Sequence, residues 1–264
     1  MIENMNNNKL YNLIHKIMNQ LLGEIVNSIK TTVLDNSVGV AFSGGVDSTL
    51  IAKLLHDNGY DIHLLTIGFP DSHDINFAKE VNEILKFKHD ILEIDLDSFQ
   101  EVSEQVNDII KTDNLSWNEN SIAFYYVSKL AKKLGISTVV TANGIDELFC
   151  GYNAYREAIG IGVDEVMNVM NQKLDNEKKM MIAVNNVTSL FDVKILQPLL
   201  HEDFISYAKT IPISEKIIDS NDLQRKHAIR KLAASCGVPE ISAYKQKKAL
   251  QYGSKIHKQL LKLR

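Results

Sequence analysis

Short apolar runs alternate with amphipathic helical segments over the first half of the chain, and this alternation constrains the fold most strongly. Turn residues such as Asn58-Gly59 and Gly135 bound the segments. Strands that alternate with helices predict βαβ units with parallel strands and right-handed crossovers. The pattern therefore predicts an α/β fold, a parallel sheet with helices on both faces. The predicted strands are 38–42, 62–67, 89–94 and 137–142, and the predicted helices are 48–57, 74–87 (with Asp74 as its cap), 98–111 and 121–134.

Both ends of the chain are predicted to be helical. Residues 9–30 place leucine and isoleucine at helical spacing, which predicts an amphipathic helix. Beyond about residue 150 the strand pattern fades, and helical patterns continue to the end with prolines as interruptions. We expect residues 1–36 to form an N-terminal helical extension and residues 37–264 to form one large domain, helical from about residue 151.

The break after the first predicted strand has the sequence SGGVDS, residues 43–48. It lies at the carboxyl end of a parallel strand, where open α/β sheets bind ligands. Gly44 and Gly45 allow a tight turn with backbone N–H groups close to an anion, at the positive end of the next helix. The lysine of the usual nucleoside-triphosphate loop is absent. Because Asp47 would repel a phosphate unless a cation lay between them, the loop predicts a phosphate bound together with Mg²⁺.

SGGVDS after an apolar strand resembles the pyrophosphatase loop of the N-type ATP pyrophosphatases. The resemblance implies the adenine nucleotide alpha hydrolase-like fold of that superfamily, and ATP and Mg²⁺ as cofactors. Its members cleave ATP between the α- and β-phosphates, adenylate a carboxylate or carbonyl oxygen, and release pyrophosphate.

A second stretch resembles one branch of that superfamily, the synthetase domain of asparagine synthetases. Residues 138–152, TVVTANGIDELFCGY, are similar to the family's V-x-x-S-G-E-G-A-D-E-L-F-G-G-Y strand and loop. The matching residues are Asp146, Glu147, Leu148, Phe149, Gly151 and Tyr152.

Two later stretches extend this resemblance over residues 37–258, in the family's order. Residues 67–81 are similar to the segment after the family's second strand. RKHAIRKLA at 225–233 resembles the family's K-x-x-L-R helix, and YKQKKALQYGS at 244–254 resembles its lysine-bearing loop. The last match resembles small stand-alone asparagine-synthetase-domain proteins most.

The resemblance implies roles for individual residues. Asp47 and Asp146 would hold Mg²⁺ against the triphosphate. Lys247 would stabilise the adenylation transition state and then pyrophosphate, so that Lys247 and Asp146 are the predicted catalytic residues. The residues expected to bind ATP or pyrophosphate are Ala41, Ser43, Gly44, Gly45, Asp47, Ser48, Thr66, Ile67, Thr141, Gly144 and Lys247.

Three departures from the family pattern concern the acceptor and the source of nitrogen. Residues 1–36 contain no cysteine to serve as a glutaminase nucleophile, so we expect the chain to lack the glutaminase domain. Asn143 stands where the family's G-E-G motif has glutamate, and an amide cannot act as a general base. His201 stands where the family's P-F-L-D motif has aspartate. The ATP half thus matches the family, whereas the acceptor half is altered.

The resulting hypothesis is an ATP-dependent carbon–nitrogen ligase of asparagine synthase type that forms AMP and pyrophosphate. Its acceptor would be an unidentified carboxylate or carbonyl. Its nitrogen would come from ammonia, another amine or a separate amidotransferase subunit. One alternative is an RNA-modifying enzyme, because residues 222–264 carry a net charge of +9 in a chain of −4 and would bind tRNA. The other alternative is a non-catalytic relative that binds ATP.

Composition also predicts the protein's location. No apolar run reaches the length of a transmembrane helix, and the polar N-terminus lacks the apolar core of a signal peptide. Cys150 and Cys236 form neither a disulfide framework nor a zinc site, and Cys150 is expected to be a small buried thiol. We therefore expect a cytoplasmic protein without membrane contact.

Overall fold

Five parallel strands form one sheet in the computed structural model, which describes residues 2–245 and 250–263. The spatial order is β3-β2-β1-β4-β5, with every neighbouring pair parallel. The predicted α/β class with a parallel sheet is confirmed. The strands are β1 (Ser37–Ala41), β2 (Asp61–Gly68), β3 (Lys88–Glu93), β4 (Thr138–Val140) and β5 (Lys194–Leu196).

Helices fill most of the remaining chain. They are α1 (Ile2–Thr32), α2 (Val46–Asp57), α3 (His73–Leu85), α4 (Leu96–Ile110), α5 (Leu115–Lys133), α6 (Ile145–Leu148), α7 (Ala154–Ile161), α8 (Val163–Thr188), α9 (Glu202–Thr210), α10 (His227–Ser235), α11 (Glu240–Ala243), α12 (Leu250–Gly253) and α13 (Ile256–Leu263). Short 3-10 turns lie at Ser189–Phe191, Pro198–Leu200 and Ile213–Glu215.

The first four strands, the four helices between them and the N-terminal helix lie where the sequence predicts, with shifted ends. Two expectations are wrong. The expectation that the chain is helical beyond about residue 150 misses β5. This strand pairs with β4 through three residues and is too short to show an alternating pattern. The cap of α3 is Ser72, so Asp74 lies inside the first turn.

The sheet separates two hydrophobic cores because consecutive strand residues point to opposite faces. Leu64 belongs to the core shared with α1, α2, α9 and α10, whereas Leu65 belongs to the core beneath α4, α5, α13 and the end of α8. Val140 and Val139 on β4 divide in the same way. Helices therefore cover both faces, as predicted.

The second half of α1 is part of the first of these cores. Leu21, Ile25 and Ile29 are buried there, and the Ser28 hydroxyl donates to the Pro198 carbonyl. The predicted domain boundary at residue 36 stays a prediction.

The strand order places a crevice at the carboxyl ends of β1 and β4. From β1 the chain moves outward to β2 and β3 and then returns to the other side of β1 as β4. Such a reversal of direction is where open parallel sheets bind ligands. Within the described ranges, no helix combines the length and the apolar character needed to cross a membrane.

Candidate active site

A cavity of about 290 Å³ opens at this crevice. The loop after β1 and the loop after β4 form one end of it. An apolar wall comes from β2 and α5, with Leu65, Ile67, Phe124 and Val127 among its side chains. One face of α8 forms a further part of the lining, the α8 end, which meets the loop after β4 where Asn143 contacts Glu177. The cavity therefore offers polar loops, an apolar wall and a helical face to a ligand.

The loop after β1 is held in a tight conformation. Gly44 has φ +75°, and a Cβ there would lie 3.0 Å from the Phe77 carbonyl oxygen, so the position favours glycine. The Ser43 N–H donates to Ser48 Oγ (3.3 Å), and the Ser48 hydroxyl donates to the Gly45 carbonyl (3.2 Å). These contacts hold the N-terminus of α2 at the cavity, where backbone N–H groups and the helix dipole favour an anion.

The loop after β4 is equally constrained. Gly144 has φ +106°, and a Cβ there would lie 2.7 Å from the Leu199 carbonyl oxygen. The buried Glu147 accepts from the Gly144 N–H (3.0 Å) and from the Tyr152 hydroxyl. Burial, and next the charge of Glu147, raise the pKa of Tyr152, which keeps this hydroxyl a donor. Glu147 thus braces the loop that presents Asp146 to the cavity.

Lys226 lies between Asp47 and Asp146, the two carboxylates predicted to hold a metal. Its Nζ is 2.5 Å from Asp47 Oδ2 and 2.5 Å from Asp146 Oδ1, and 2% of its side chain is exposed. Burial opposes the charge of the ammonium, but Asp146 and Asp47 outweigh it and raise the pKa of Lys226. The loops after β1 and β4 therefore meet at one buried cation.

The donor set at this point fits a magnesium ion that arrives with a nucleotide. Mg²⁺ prefers oxygen ligands and is commonly held by one or two carboxylates together with substrate phosphates. No cluster of three or more histidine, cysteine or acidic side chains that could hold a metal occurs within residues 2–245 and 250–263. Asp47 and Asp146 could hold such an ion together with phosphate oxygens of a ligand.

The α8 end of the cavity is a stripe on one helix. Lys173, Asn176, Glu177 and Met180 follow the spacing i, i+3, i+4, i+7, which places them on one face, and all four line the cavity. Glu177 is only 5% exposed, and its Oε1 accepts from Asn143 Nδ2 at 2.5 Å. A buried carboxylate and an amide thus face the cavity beyond Asp146.

The cavity brings together most of the residues predicted to bind ATP. Those that line it are Ala41, Ser43, Gly45, Asp47, Ser48, Ile67 and Thr141, and Asp146, predicted to be catalytic and to hold the metal, lines it as well. Gly44, Gly144 and Thr66 are not among the lining residues. Thr66 and Ile67 are consecutive on β2 and point to opposite faces of the sheet, and the Thr66 hydroxyl donates to the Phe42 carbonyl (2.7 Å). Lys247 lies outside the described residues.

Comparison with known proteins places this site in a family. The family described as asparagine synthase matches residues 19–186, which is more than half of the chain.

The chain belongs to the asparagine synthase family.

Individual relatives are distant. A putative glutamine-hydrolysing asparagine synthetase of Methanocaldococcus jannaschii is 28% identical over 262 residues, which cover 86% of this chain and 48% of the relative. Glutamine-hydrolysing asparagine synthetase 1 of Arabidopsis thaliana is 27% identical over 201 residues, which cover 72% of this chain and 34% of the relative. The chain thus spans about half of the first relative and about a third of the second. Among solved structures, NMN synthetase from Francisella tularensis aligns with a TM-score of 0.48 and 15% identity, over 90% of this chain and 77% of that one.

Sequence reasoning missed two features of this asparagine synthase family site. Lys226 is not among the predicted site residues, although it is the second residue of the segment 225–233 that resembles the family's K-x-x-L-R helix. The stripe on α8 was also missed, because a polar face of a helix is most often solvated. Only the fold shows that the stripe faces a cavity.

The basic segment 222–264 of this asparagine synthase family member is not a uniform surface. Lys226 is buried in the site. Arg230 is buried as well, and its Nη1 donates to the Ala243 carbonyl (2.6 Å). Lys231 pairs with Glu215 (2.8 Å). Part of the +9 charge is therefore neutralised or used inside the fold.

Proposed function

We propose that this chain is an ATP-dependent carbon–nitrogen ligase that forms AMP and pyrophosphate. The observation that carries the proposal is the convergence of Asp47 and Asp146, from loops after two adjacent central strands, on one buried cation beside the glycine loop. Two carboxylates, a cation and helix N–H groups around one point suit a triphosphate with its metal better than they suit a neutral ligand.

The loop end would bind the phosphates of ATP, and the apolar wall would accept the adenine ring. Backbone N–H groups at the start of α2 and the hydroxyls of Ser43 and Ser48 are short donors suited to pyrophosphate as a leaving group. An acceptor oxygen would attack the α-phosphorus, and the bond from that phosphorus to the bridging oxygen would break. Pyrophosphate would leave with the bonding electrons, and the acceptor would become an acyl or imidoyl adenylate.

The α8 end would bind the acceptor and the incoming amine. Amine nitrogen would attack the activated carbon, AMP would leave with the electrons of its carbon–oxygen bond, and the nitrogen would release a proton. Asn143 is not a base, yet its amide holds the carboxylate of Glu177 at the same place. This supports an acceptor end that departs from that of asparagine-forming enzymes.

The test is a screen of carboxylates and amides, with ammonia and primary amines, for stimulated conversion of ATP to AMP and pyrophosphate. We expect one acceptor class to stimulate pyrophosphate release, and aspartate plus ammonia to give little or no asparagine. ADP and phosphate as products would refute the reaction type. Robust asparagine synthesis would refute the interpretation of Asn143.

Lys247 enters the proposal through the family resemblance. We expect Lys247→Ala to raise the barrier to pyrophosphate release by about 2–4 kcal/mol, the usual effect of one transition-state donor. Lys258→Ala, a nearby change outside the matched motif, is the charge-matched control. Equal effects of the two changes would indicate that the barrier to pyrophosphate release depends on the overall positive charge of this segment and not on a specific contact of Lys247.

A further inference from the structure

The side chain of Lys226 occupies the point between Asp47 and Asp146 where their carboxylates converge. The two distances from Nζ are equal at 2.5 Å, and the lysine is almost completely buried. Carboxylates from two different strand ends repel each other unless a cation compensates them. Lys226 supplies that cation from α10's N-cap position.

The fold builds this position. The Lys226 backbone is left-handed, with φ +54°, and its carbonyl accepts from the Arg230 N–H (2.9 Å) in the first turn of α10. At Gly151 a Cβ would lie 2.6 Å from Lys226 Cε and 1.8 Å from Asp146 Oδ1. The lysine therefore runs through a channel that remains open only because residue 151 has no side chain.

A divalent ion and the Lys226 ammonium exclude each other from this point. An ion bound to both carboxylates would lie within a few ångströms of a like charge in a buried place, where such repulsion is strong. Moreover, Asp47 and Asp146 fill only part of the ligand set of Mg²⁺, so an ion held by these two carboxylates alone would be bound weakly. Phosphate oxygens would both complete the ligand set and attract the ammonium away from the carboxylates.

We propose that Lys226 takes the place of the divalent ion in the nucleotide-free protein, so that the metal enters only together with a nucleoside triphosphate. This rests on the proposed function only for the identity of the nucleotide. The structure thereby assigns an order to loading: the lysine holds the two carboxylates together first, and the metal–nucleotide pair displaces it.

The experiment measures Mn²⁺ binding to the nucleotide-free full chain from the loss of the free aqueous Mn²⁺ electron paramagnetic resonance signal. We expect no saturable binding to the unmodified protein and saturable binding to Lys226→Met, because the competing charge is gone. Lys231→Met is the control, since Lys231 pairs with Glu215 at the surface. The double variant Lys226→Met with Asp146→Asn should lose the gained affinity.

A second measurement needs no variant. The unmodified protein is mixed with a non-hydrolysable ATP analogue that has a methylene between the α- and β-phosphorus. The apparent Mn²⁺ affinity of this mixture should be at least ~10-fold higher than that of the protein alone or of the analogue alone. Saturable Mn²⁺ binding without nucleotide, as tight as with the analogue, would overturn the inference whether or not Lys226→Met folds.

The inference and the proposed function fail differently. Nucleotide-independent metal binding with normal acceptor-stimulated pyrophosphate release would refute the loading order alone. Conversely, the expected synergy between Mn²⁺ and the analogue, without turnover by any acceptor, would refute the ligase function and leave the loading order standing.

Discussion

The two ends of the cavity are built in different ways. At the loop end, Asp47 and Asp146 lie in the first turns of α2 and α6, and the loop before each helix contains a glycine with positive φ that its surroundings leave little room to replace. At the α8 end, four side chains project from consecutive turns of one helix. The first end depends on backbone geometry, and the second depends on side-chain identity alone.

This difference indicates where the chain can change its chemistry. A substitution at Gly44 or Gly144 would force the backbone to move, because a Cβ would meet a carbonyl oxygen. A substitution at Lys173 or Glu177 changes a side chain on α8, and no backbone atom has to move to make room for it. We therefore expect nucleotide use to be fixed by the loops and acceptor choice to be set by α8.

The largest expected effect is that of Asp47→Ala. It should weaken Mg²⁺-dependent ATP binding by at least ~100-fold, because one of the two metal-facing carboxylates is lost. Asp146 still pairs with Lys226, so we expect the variant to fold with a lowered melting temperature. Isothermal titration calorimetry with Mg-ATP measures the loss. Asp57→Ala on the same helix is the control, since Asp57 pairs only with neighbours on α2 at the surface. Unchanged Mg-ATP affinity in Asp47→Ala would contradict the assignment of ATP to the loop end of the cavity.

A buried charge also lies beneath the loop end, and its removal should show as a pH effect. Lys216 donates to the Ala208 carbonyl (2.7 Å) and lies 5.6 Å from the Phe149 ring centre, and burial lowers its pKa to about 8 from 10.5. The unfolded chain therefore binds more protons than the folded one between those values. The free energy of unfolding should rise with pH from about 8 to 10.5, and the Lys216 contribution should be lost as pH falls through this window.

Lys216→Met should remove this slope and raise the free energy of unfolding near pH 7 by about 2 kcal/mol, because a buried charge is replaced by an apolar side chain. Urea denaturation at a series of pH values measures both. Lys129→Met, at an exposed position on α5, should leave the slope in place. A slope that survives Lys216→Met would show that another group titrates.

Glu177→Gln should separate the two ends. We expect Mg-ATP affinity to stay within about 2-fold, whereas pyrophosphate release stimulated by the acceptor should fall ~10-fold, the usual cost of losing one charged hydrogen-bond partner. Asp175→Asn, at an exposed position on the same helix, is the charge-matched control. A loss of Mg-ATP affinity as large as that of Asp47→Ala would mean that the ends are not independent.

The smallest effect is optical. Trp117, the single tryptophan of the chain, donates from Nε1 to Asn176 Oδ1 (3.0 Å) at the α8 end. Its fluorescence should shift when an acceptor binds and stay nearly constant when Mg-ATP binds alone. Asn176→Ala should shift the emission of the free protein and cost less than about 1 kcal/mol of stability, because the bond is exposed. Equal responses to both ligands would contradict the division of the cavity.

The sequence predicts the fold where local patterns are long, and misses what depends on distant contacts. The strands from β1 to β4 and the glycine loop follow from periodicity and turn residues within a few positions. β5 has three residues and pairs only because β4 lies beside it. The contact between Lys226 and Asp47 spans 179 positions, so no local pattern indicates it.

Within the predicted site, backbone direction explains which residues line the cavity and which do not. The prediction assigns both Thr66 and Ile67 to the nucleotide, but neighbouring side chains on a strand point to opposite faces of the sheet. Ile67 lines the cavity, whereas the Thr66 hydroxyl donates to the Phe42 carbonyl. Gly44 and Gly144 are necessary for loop shape, so a motif match singles them out although neither lines the cavity. A motif thus identifies residues that shape a site together with those that contact a ligand.

The packing of α1 against late parts of the chain also affects how the protein reaches its native state. Ser28 and Pro198 are 170 positions apart, and the neighbours of α1 include α9 and α10. During synthesis the apolar face with Leu21, Ile25 and Ile29 is made well before α9 and α10. Closing such a long loop is slow, since non-local contacts form only after the intervening chain is ordered. The nascent chain therefore holds this face of α1 without its α9 and α10 partners while the intervening residues are translated, a condition that favours aggregation unless the face is protected.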